Sequence, residues 1–347
     1  MTIRSSLVVA GGFAASAAMG WIFHWLGLPL AWIFGSMLGA AIYANSVPGI
    51  GRTQLVRRGG QLLIGSSVAS VLDVATIYDV ARLLPVMMGA ALAANLVAVA
   101  ISLPLARFAG VDRLSALLAA LPAGMAEMSS LAADLNARAD FVMVAHSLRV
   151  VLVVVTVPLL IGLDVDAVTA VAPPVGGSNV ALAVCFVLGV GAALLASRLD
   201  LLNPWIIMPM SVGVALVLAG YALAPMPRPL LILAQIAIGF SLGMRLRRED
   251  LYRLPRATLA GLGASLTLVV AMMILAAFAL PVFAELSFPT LALGVAPGGL
   301  GEMIATAKAL GLASATVASF QFVRSFMTNL LAPLIIVRLM RRDGSRK

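Results

Sequence analysis

Pro122-Ala-Gly-Met-Ala-Glu127-Met128 returns 175 residues later as Pro297-Gly-Gly-Leu-Gly-Glu302-Met303. The same offset, without a gap, carries Arg149 onto Arg324 and Pro158 onto Pro333. Upstream, Gln61-Leu-Leu-Ile-Gly65 meets Gln235-Ile-Ala-Ile-Gly239 at 174, and Trp32 falls opposite Trp205 at 173. Charged residues, prolines and tryptophans that agree in order within apolar sequence mark an internal duplication. Single-residue drift in loops accounts for the changing offset.

Composition says where such a chain lives. Of its 347 residues 62% are hydrophobic and 11% charged, and the mean hydropathy is +1.09. A soluble domain holds roughly 45–50% apolar and about 25% charged residues, so a soluble protein is excluded, and disorder with it. What remains is an all-α membrane protein. A net charge of +9 would suggest nucleic acid in a soluble chain; here the positive-inside rule explains it, and no nucleic-acid partner is expected. The single cysteine, Cys185, allows no internal disulfide. With only His24 and His146 beside it, soft metal ligands are scarce, so no metal and no cofactor are expected. HExxH, CxxC, P-loop and dinucleotide motifs are missing, and neither catalytic residues nor enzymatic activity are expected.

Apolar runs fall near 6–23, 28–46, 59–72, 83–106, 114–135 and 141–163, and again near 179–197, 203–221, 229–244, 257–280, 288–310 and 313–337. Residues 1–163 therefore form a first membrane repeat and 179–340 a second. Residues 164–178, with Pro173-Pro174 and Gly176-Gly177, link them, and 341–347 form a basic tail. Met1 to Trp25 resembles a signal peptide, but its counterpart in the second half is an internal run, which predicts a retained first helix.

The fifth run of each half is broken, by Pro122-x-Gly124 and by Pro297-Gly298-Gly299. Each arm, roughly 8–11 residues or about 12–16 Å, reaches half of a ~30 Å hydrocarbon core. A re-entrant hairpin fits that length, and charge favours it over a span. With hairpins and an internal N-terminus, 18 of the 23 Lys and Arg lie in cytoplasmic segments and three, Arg82, Arg228 and Lys308, outside. Were the fifth runs to span, the five arginines from Arg245 to Arg256 would move outside. The expectation is ten transmembrane helices plus two re-entrant hairpins, arranged as two inverted-topology repeats of five spans, with both termini cytoplasmic.

Four charged residues lie inside apolar runs at matching places in both halves: Glu127, Arg149, Glu302 and Arg324. Intramembrane charges cost roughly 2.5–3.5 kcal/mol each on insertion scales and face an interior or a cavity. Each Glu stands in the first turn of a returning half-helix, near the midplane where inverted-repeat transporters bind substrate and ion. Pro122, Gly124, Pro297, Gly298 and Gly299 belong to the same candidate site. The short third runs, interrupted by Gly65 and by Gly239 with Gly243, add Gln61 and Gln235. A structural reading stands beside the functional one. A first-turn Glu caps free amides, an Arg can neutralise it, and the glutamines can bond between helices. Gly35-x-x-x-Gly39 permits close helix packing.

The doubled Pro-x-Gly/Gly-Gly…Glu-Met element, each followed by Arg in the next helix, resembles the AbrB family of bacterial membrane proteins over nearly the whole chain. Members are labelled as an ammonia monooxygenase or as regulators of gene expression. The five-span-plus-broken-element repeat is similar to secondary transporters of the cation–proton antiporter and bile-acid symporter type. The leading expectation is a secondary active transporter of the bacterial inner membrane, moving a small polar or anionic solute through an alternating-access site. Its partners are that solute or ion and membrane lipids, and a homo-oligomer is compatible with it. The alternative is a membrane sensor or regulator acting indirectly on gene expression. A membrane monooxygenase ranks third, since such a site needs several His, Cys or carboxylate ligands.

Overall fold

A computed structural model of the chain describes residues 3–28, 30–47, 53–161, 176–199, 201, 203–253, 255–279 and 286–344. Most of the linker, 164–175, and the end of the tail, 345–347, lie outside the described residues. Among these residues the fold is all-helical, with one isolated bridge between Ser178 and Leu223. The first half forms α1 (Ile3–Trp25), α2 (Ala31–Ser46), α3 (Gln54–Ala69), α4 (Val74–Arg82), α5 (Leu84–Ala109), α6 (Arg113–Ala120), α7 (Met125–Asp134) and α8 (Ala139–Ile161). The second forms α9 (Asn179–Arg198), α10 (Pro204–Leu218), α11 (Arg228–Gly243), α12 (Arg248–Arg253), α13 (Pro255–Ala279), α14 (Phe288–Val295), α15 (Leu300–Ala309) and α16 (Ser314–Gly344).

Six of these helices, α1, α5, α8, α9, α13 and α16, are long and apolar enough to cross a bilayer. Helices α10 and α11 are apolar but shorter, and α3 with α4 passes the same test as a pair bent by 101°. The chain is thus a helical protein compatible with multiple membrane passes. Helices α4 and α12 are not foreshadowed by the apolar runs. Asp73 starts α4 by accepting the Thr76 N–H at 2.7 Å, an N-cap in the bend.

The chain divides into two compact units, and each draws segments from both halves. One holds Met1–Arg82, Val168–Arg247 and Gly301–Ala318; the other holds Leu83–Ala167, Arg248–Leu300 and Ser319–Lys347.

In the first unit the packing occurs twice. Helix α1 packs on α2 and α9 on α10; α2 packs on α11 and α10 on α3; α3 and α11 pack on each other. The correspondence reaches single atoms. A Cβ added at Gly65 would strike the carbonyl oxygen of Ile206, and one at Gly239 would strike that of Ile33. Those partners, 33 and 206, stand at the Trp32–Trp205 offset. Here the structure corrects an expectation: Gly65 and Gly239 do not interrupt α3 or α11, which run through them, while Gly243 is the last residue of α11. They bring two backbones together.

In the second unit α5 packs on α13, with α6 against α5 and α14 against α13. Helix α8 packs on α6, α7 and α13. The core gathers Leu117, Leu118, Leu121, Met128, Phe141 and Val142. Asp112 caps α6, accepting the Ser115 N–H at 2.8 Å, and the Ser115 hydroxyl accepts the Arg138 N–H at 2.8 Å. The chain therefore leaves on α6 and returns on α7 to the same end of α8. Between lies a hairpin whose tip sits beside Arg149, about 16 Å along α8 from Arg138 at 1.5 Å per residue.

Candidate functional site

The hairpin tips begin where proline stops a helix. Leu121 precedes Pro122 and Ala296 precedes Pro297, and both are extended, with ψ of 132° and 135°, as a residue before proline must be. Each short helix then ends with free carbonyls and the negative end of its dipole.

In the second unit those carbonyls meet buried donors from the next long helix. Arg149 Nη1 donates to the carbonyls of Ala120 and Leu121, both at 3.1 Å, and of Ala119 at 3.4 Å, and Nη2 reaches Ala123 at 3.5 Å. His146 Nε2 lies 2.9 Å from the Leu118 carbonyl and Nδ1 lies 2.9 Å from Arg149 Nη2. The neutral Nε2–H tautomer satisfies both contacts, donating to the carbonyl and accepting from the guanidinium. One turn of α8 thus closes the end of α6.

The second tip is treated alike. Gln321 Nε2 donates to the carbonyls of Leu293 at 2.7 Å, Gly294 at 3.1 Å and Ala296 at 2.9 Å. Arg324 donates to Ala296 and, at 2.7 Å, to Gly298. Both guanidinium groups are buried, and the hydrogen bonds of their terminal nitrogens go to backbone carbonyls and, for Arg149, to His146. His146 and Gln321 stand 175 residues apart. That offset is the signal in the sequence that could have paired them.

The two glutamates part company. Glu127 Oε2 accepts the Gly124 N–H at 3.0 Å, a first-turn carboxylate folded back on its own helix start. A Cβ at Gly124 would collide with that carboxylate, so glycine there makes room for it. Pro122 and Pro297 are buried at the tips, and Gly299 is half-buried.

Glu302 belongs to the first unit, where it is 2% exposed. Its Oε1 lies 3.9 Å from Arg57 Nη2 on α3. Its Oε2 has no hydrogen-bond partner, and neither has Thr306 Oγ1, one turn on along α15, nor Arg57 Nε. Gly301, beside it, lies against Gln61 of α3, Ile238 of α11 and Ile206 of α10. Gln61 and Gln235 are both buried. Arg245, just past the end of α11, is pushed down to about 9 by burial, then by the charge of Arg57, with Glu302 pulling the other way. Arg58 turns aside, its guanidinium 5.3 Å from the Trp205 ring centroid. Sequence reasoning counted Arg57 and Arg245 only as loop charges. Nothing in the repeat marks Arg57, since residue 231, its counterpart at 174, is leucine.

Comparison with known proteins adds a family and two relatives. The AbrB family, described as "Transition state regulatory protein AbrB", matches residues 32–340. "Uncharacterized protein YhjN" of Bacillus subtilis (strain 168) is 26% identical, covering 96% of this chain and 94% of its own. "Putative regulator AbrB" of Escherichia coli (strain K12) is 26% identical, covering 89% of each chain.

Proposed function

The chain belongs to the AbrB family, and from that premise we propose that it is a secondary active transporter of the inner membrane, moving a small polar or anionic solute by alternating access. The observation that carries this reading is the pair of broken tips, each built of short helices and each closed by an Arg and a His or Gln from the next helix. Broken helices at matching places in two halves mark transport sites, because they bring helix ends and backbone dipoles to mid-bilayer. Irregular backbone at that depth is tolerated only inside protein or beside water, and the buried guanidinium groups supply that protection.

Ten spans follow if α2, α3, α10 and α11 cross with the six longer helices. Five spans per half is an odd number, so the second repeat is inverted. The exchange of α2·α11 for α10·α3 supports a twofold relation. The positive-inside distribution favours cytoplasmic termini. The name of the E. coli relative favours a second reading, a membrane regulator acting without flux.

Flux separates the two. Purified protein in proteoliposomes, given a panel of metabolites under proton and sodium gradients, moves at least one solute if it is a transporter. Absence of flux across the panel, with folded protein in the vesicles, leaves the regulator.

A further inference from the structure

The buried cluster around Glu302 has a composition that the transporter reading does not by itself explain. The Glu302 carboxylate lies 3.9 Å from the Arg57 guanidinium, and Arg245, just past the end of α11, feels the charge of both. Oε2 of Glu302 and Oγ1 of Thr306 are buried and without partners, and they stand four residues apart, on one helix face. Arg57 Nε is a third unmet group, and it is a donor. Buried polar atoms are satisfied in native proteins almost without exception, so a cluster of unmet ones asks for a ligand or water. A cation is the wrong ligand beside two guanidinium groups.

We propose, on the basis of the transporter reading, that this cluster binds an oxyanion, a carboxylate or a phosphate, and that Glu302 takes up one proton with it. The oxyanion accepts from Arg57 and from the Thr306 hydroxyl, which meets two of the unmet groups. In doing so it draws Arg57 away from Glu302 and sets a second negative charge beside that carboxylate, and two like charges sharing one buried site favour taking up a proton between them. Protonated, Oε2 becomes a donor and bonds the same anion, which meets the third. The charge balances. Empty, the site holds two guanidinium cations and one carboxylate. Loaded, it holds the same two cations, one anion and a neutral carboxyl. A singly charged anion and its proton thus enter with no change in the charge of the site, which suits a buried position where unpaired charge is costly. The other charged groups on the surrounding elements are Arg58, turned onto Trp205, Arg228 and Arg247 on and beyond α11, and Lys308, six residues further along α15; α10 carries none.

The test uses the full-length protein in nanodiscs, with acetate, succinate and inorganic phosphate each added as choline salts. Thermal midpoint reports binding and a pH-sensitive dye reports proton uptake. At least one of the three stabilises the protein and draws about one proton per bound anion, the number a single linked carboxylate allows. Glu302→Gln binds that anion with no proton uptake and no pH dependence. Arg57→Lys and Thr306→Val each weaken binding about tenfold, the loss of one buried hydrogen bond to a charge. Asp79→Asn, on an exposed pair with Arg82, changes nothing.

Proton uptake that persists in Glu302→Gln overturns the proposal. So does a wild type that responds to none of the three anions. Stabilisation by sodium chloride alone, lost in Glu302→Gln, replaces it with a cation site. If Glu302→Gln does not fold, unchanged affinity in both Arg57→Lys and Thr306→Val overturns it instead. Flux of a neutral solute by a protein that binds no anion defeats the anion site and spares the transporter; anion-linked proton uptake without any flux does the reverse.

Discussion

The two broken tips share a frame and differ in charge. In both, an Arg and a polar neighbour three residues before it close the carbonyl end of a short helix: His146 with Arg149, Gln321 with Arg324. In the first, the glutamate that follows turns back on the Gly124 amide. In the second, the matching Glu302 reaches Arg57 and leaves one oxygen unmet. The lesson is that duplication preserves what the backbone demands and frees what it does not. Orphan carbonyls at a buried helix end must be answered in every copy. A first-turn carboxylate is only one way to serve an amide, so one copy was free to change its use.

Removing the shared part should cost the most. Arg149→Gln strands the carbonyls of Ala119 and Ala120 and Arg324→Gln that of Gly298, since Ala296 keeps Gln321; at about 1–3 kcal/mol apiece, the first should lower stability by about 3 kcal/mol and the second by about 2 kcal/mol. Thermal midpoints in nanodiscs and yields of inserted protein read this loss. The comparison breaks if one substitution is costly and the other silent.

The packing repeat sharpens the same point at smaller cost. Gly65→Val and Gly239→Val push a side chain into the Ile206 and Ile33 carbonyls, and overpacking of that kind costs about 1–3 kcal/mol. Similar losses in the two variants are expected by the same melt. A difference of more than about 2 kcal/mol, well beyond ordinary context scatter, would mean the two contacts are not equivalent.

The smallest effect is the most diagnostic. His146→Gln installs the residue that the second copy already uses, an amide able to donate to Leu118 and accept from Arg149. It should cost less than about 1 kcal/mol, whereas His146→Leu leaves both contacts unmet and should cost about 1–3 kcal/mol. Equal losses from the two would remove the equivalence of His146 and Gln321.

Much of this was legible in the residues. The apolar runs fall on helices, the fifth of each half on two, because a long apolar stretch in a chain this hydrophobic has few other fates. Both tips fall where a proline follows a helix, at Pro122 and Pro297, because proline denies helix to the residue before it. The short helices escaped notice: α4 and α12 are only partly apolar, and α4 rests on its Asp73 cap. The carbonyl role of Arg149 and Arg324 was hidden because a buried arginine suggests an anion, whereas a helix end offers partial negative charge without one. Arg57 was hidden for a different reason. Its long side chain reaches Glu302 across 245 residues of sequence, and only the fold brings α3 and α15 together.

The proposal beneath all of this is that the same five-span unit is written twice in opposite orientations. Cysteine accessibility in inside-out and right-side-out vesicles tests it most directly, in a background where buried Cys185 is replaced by alanine. Single cysteines at Gln54, exposed at the start of α3, Tyr252 and Arg342 should label only from the cytoplasmic face, and one at Asp79 only from the outside. Tyr252 decides, since α12 lies between the shorter helix α11 and the long helix α13. Labelling of Tyr252 from the outside, with Gln54 still cytoplasmic, would contradict the inverted repeat.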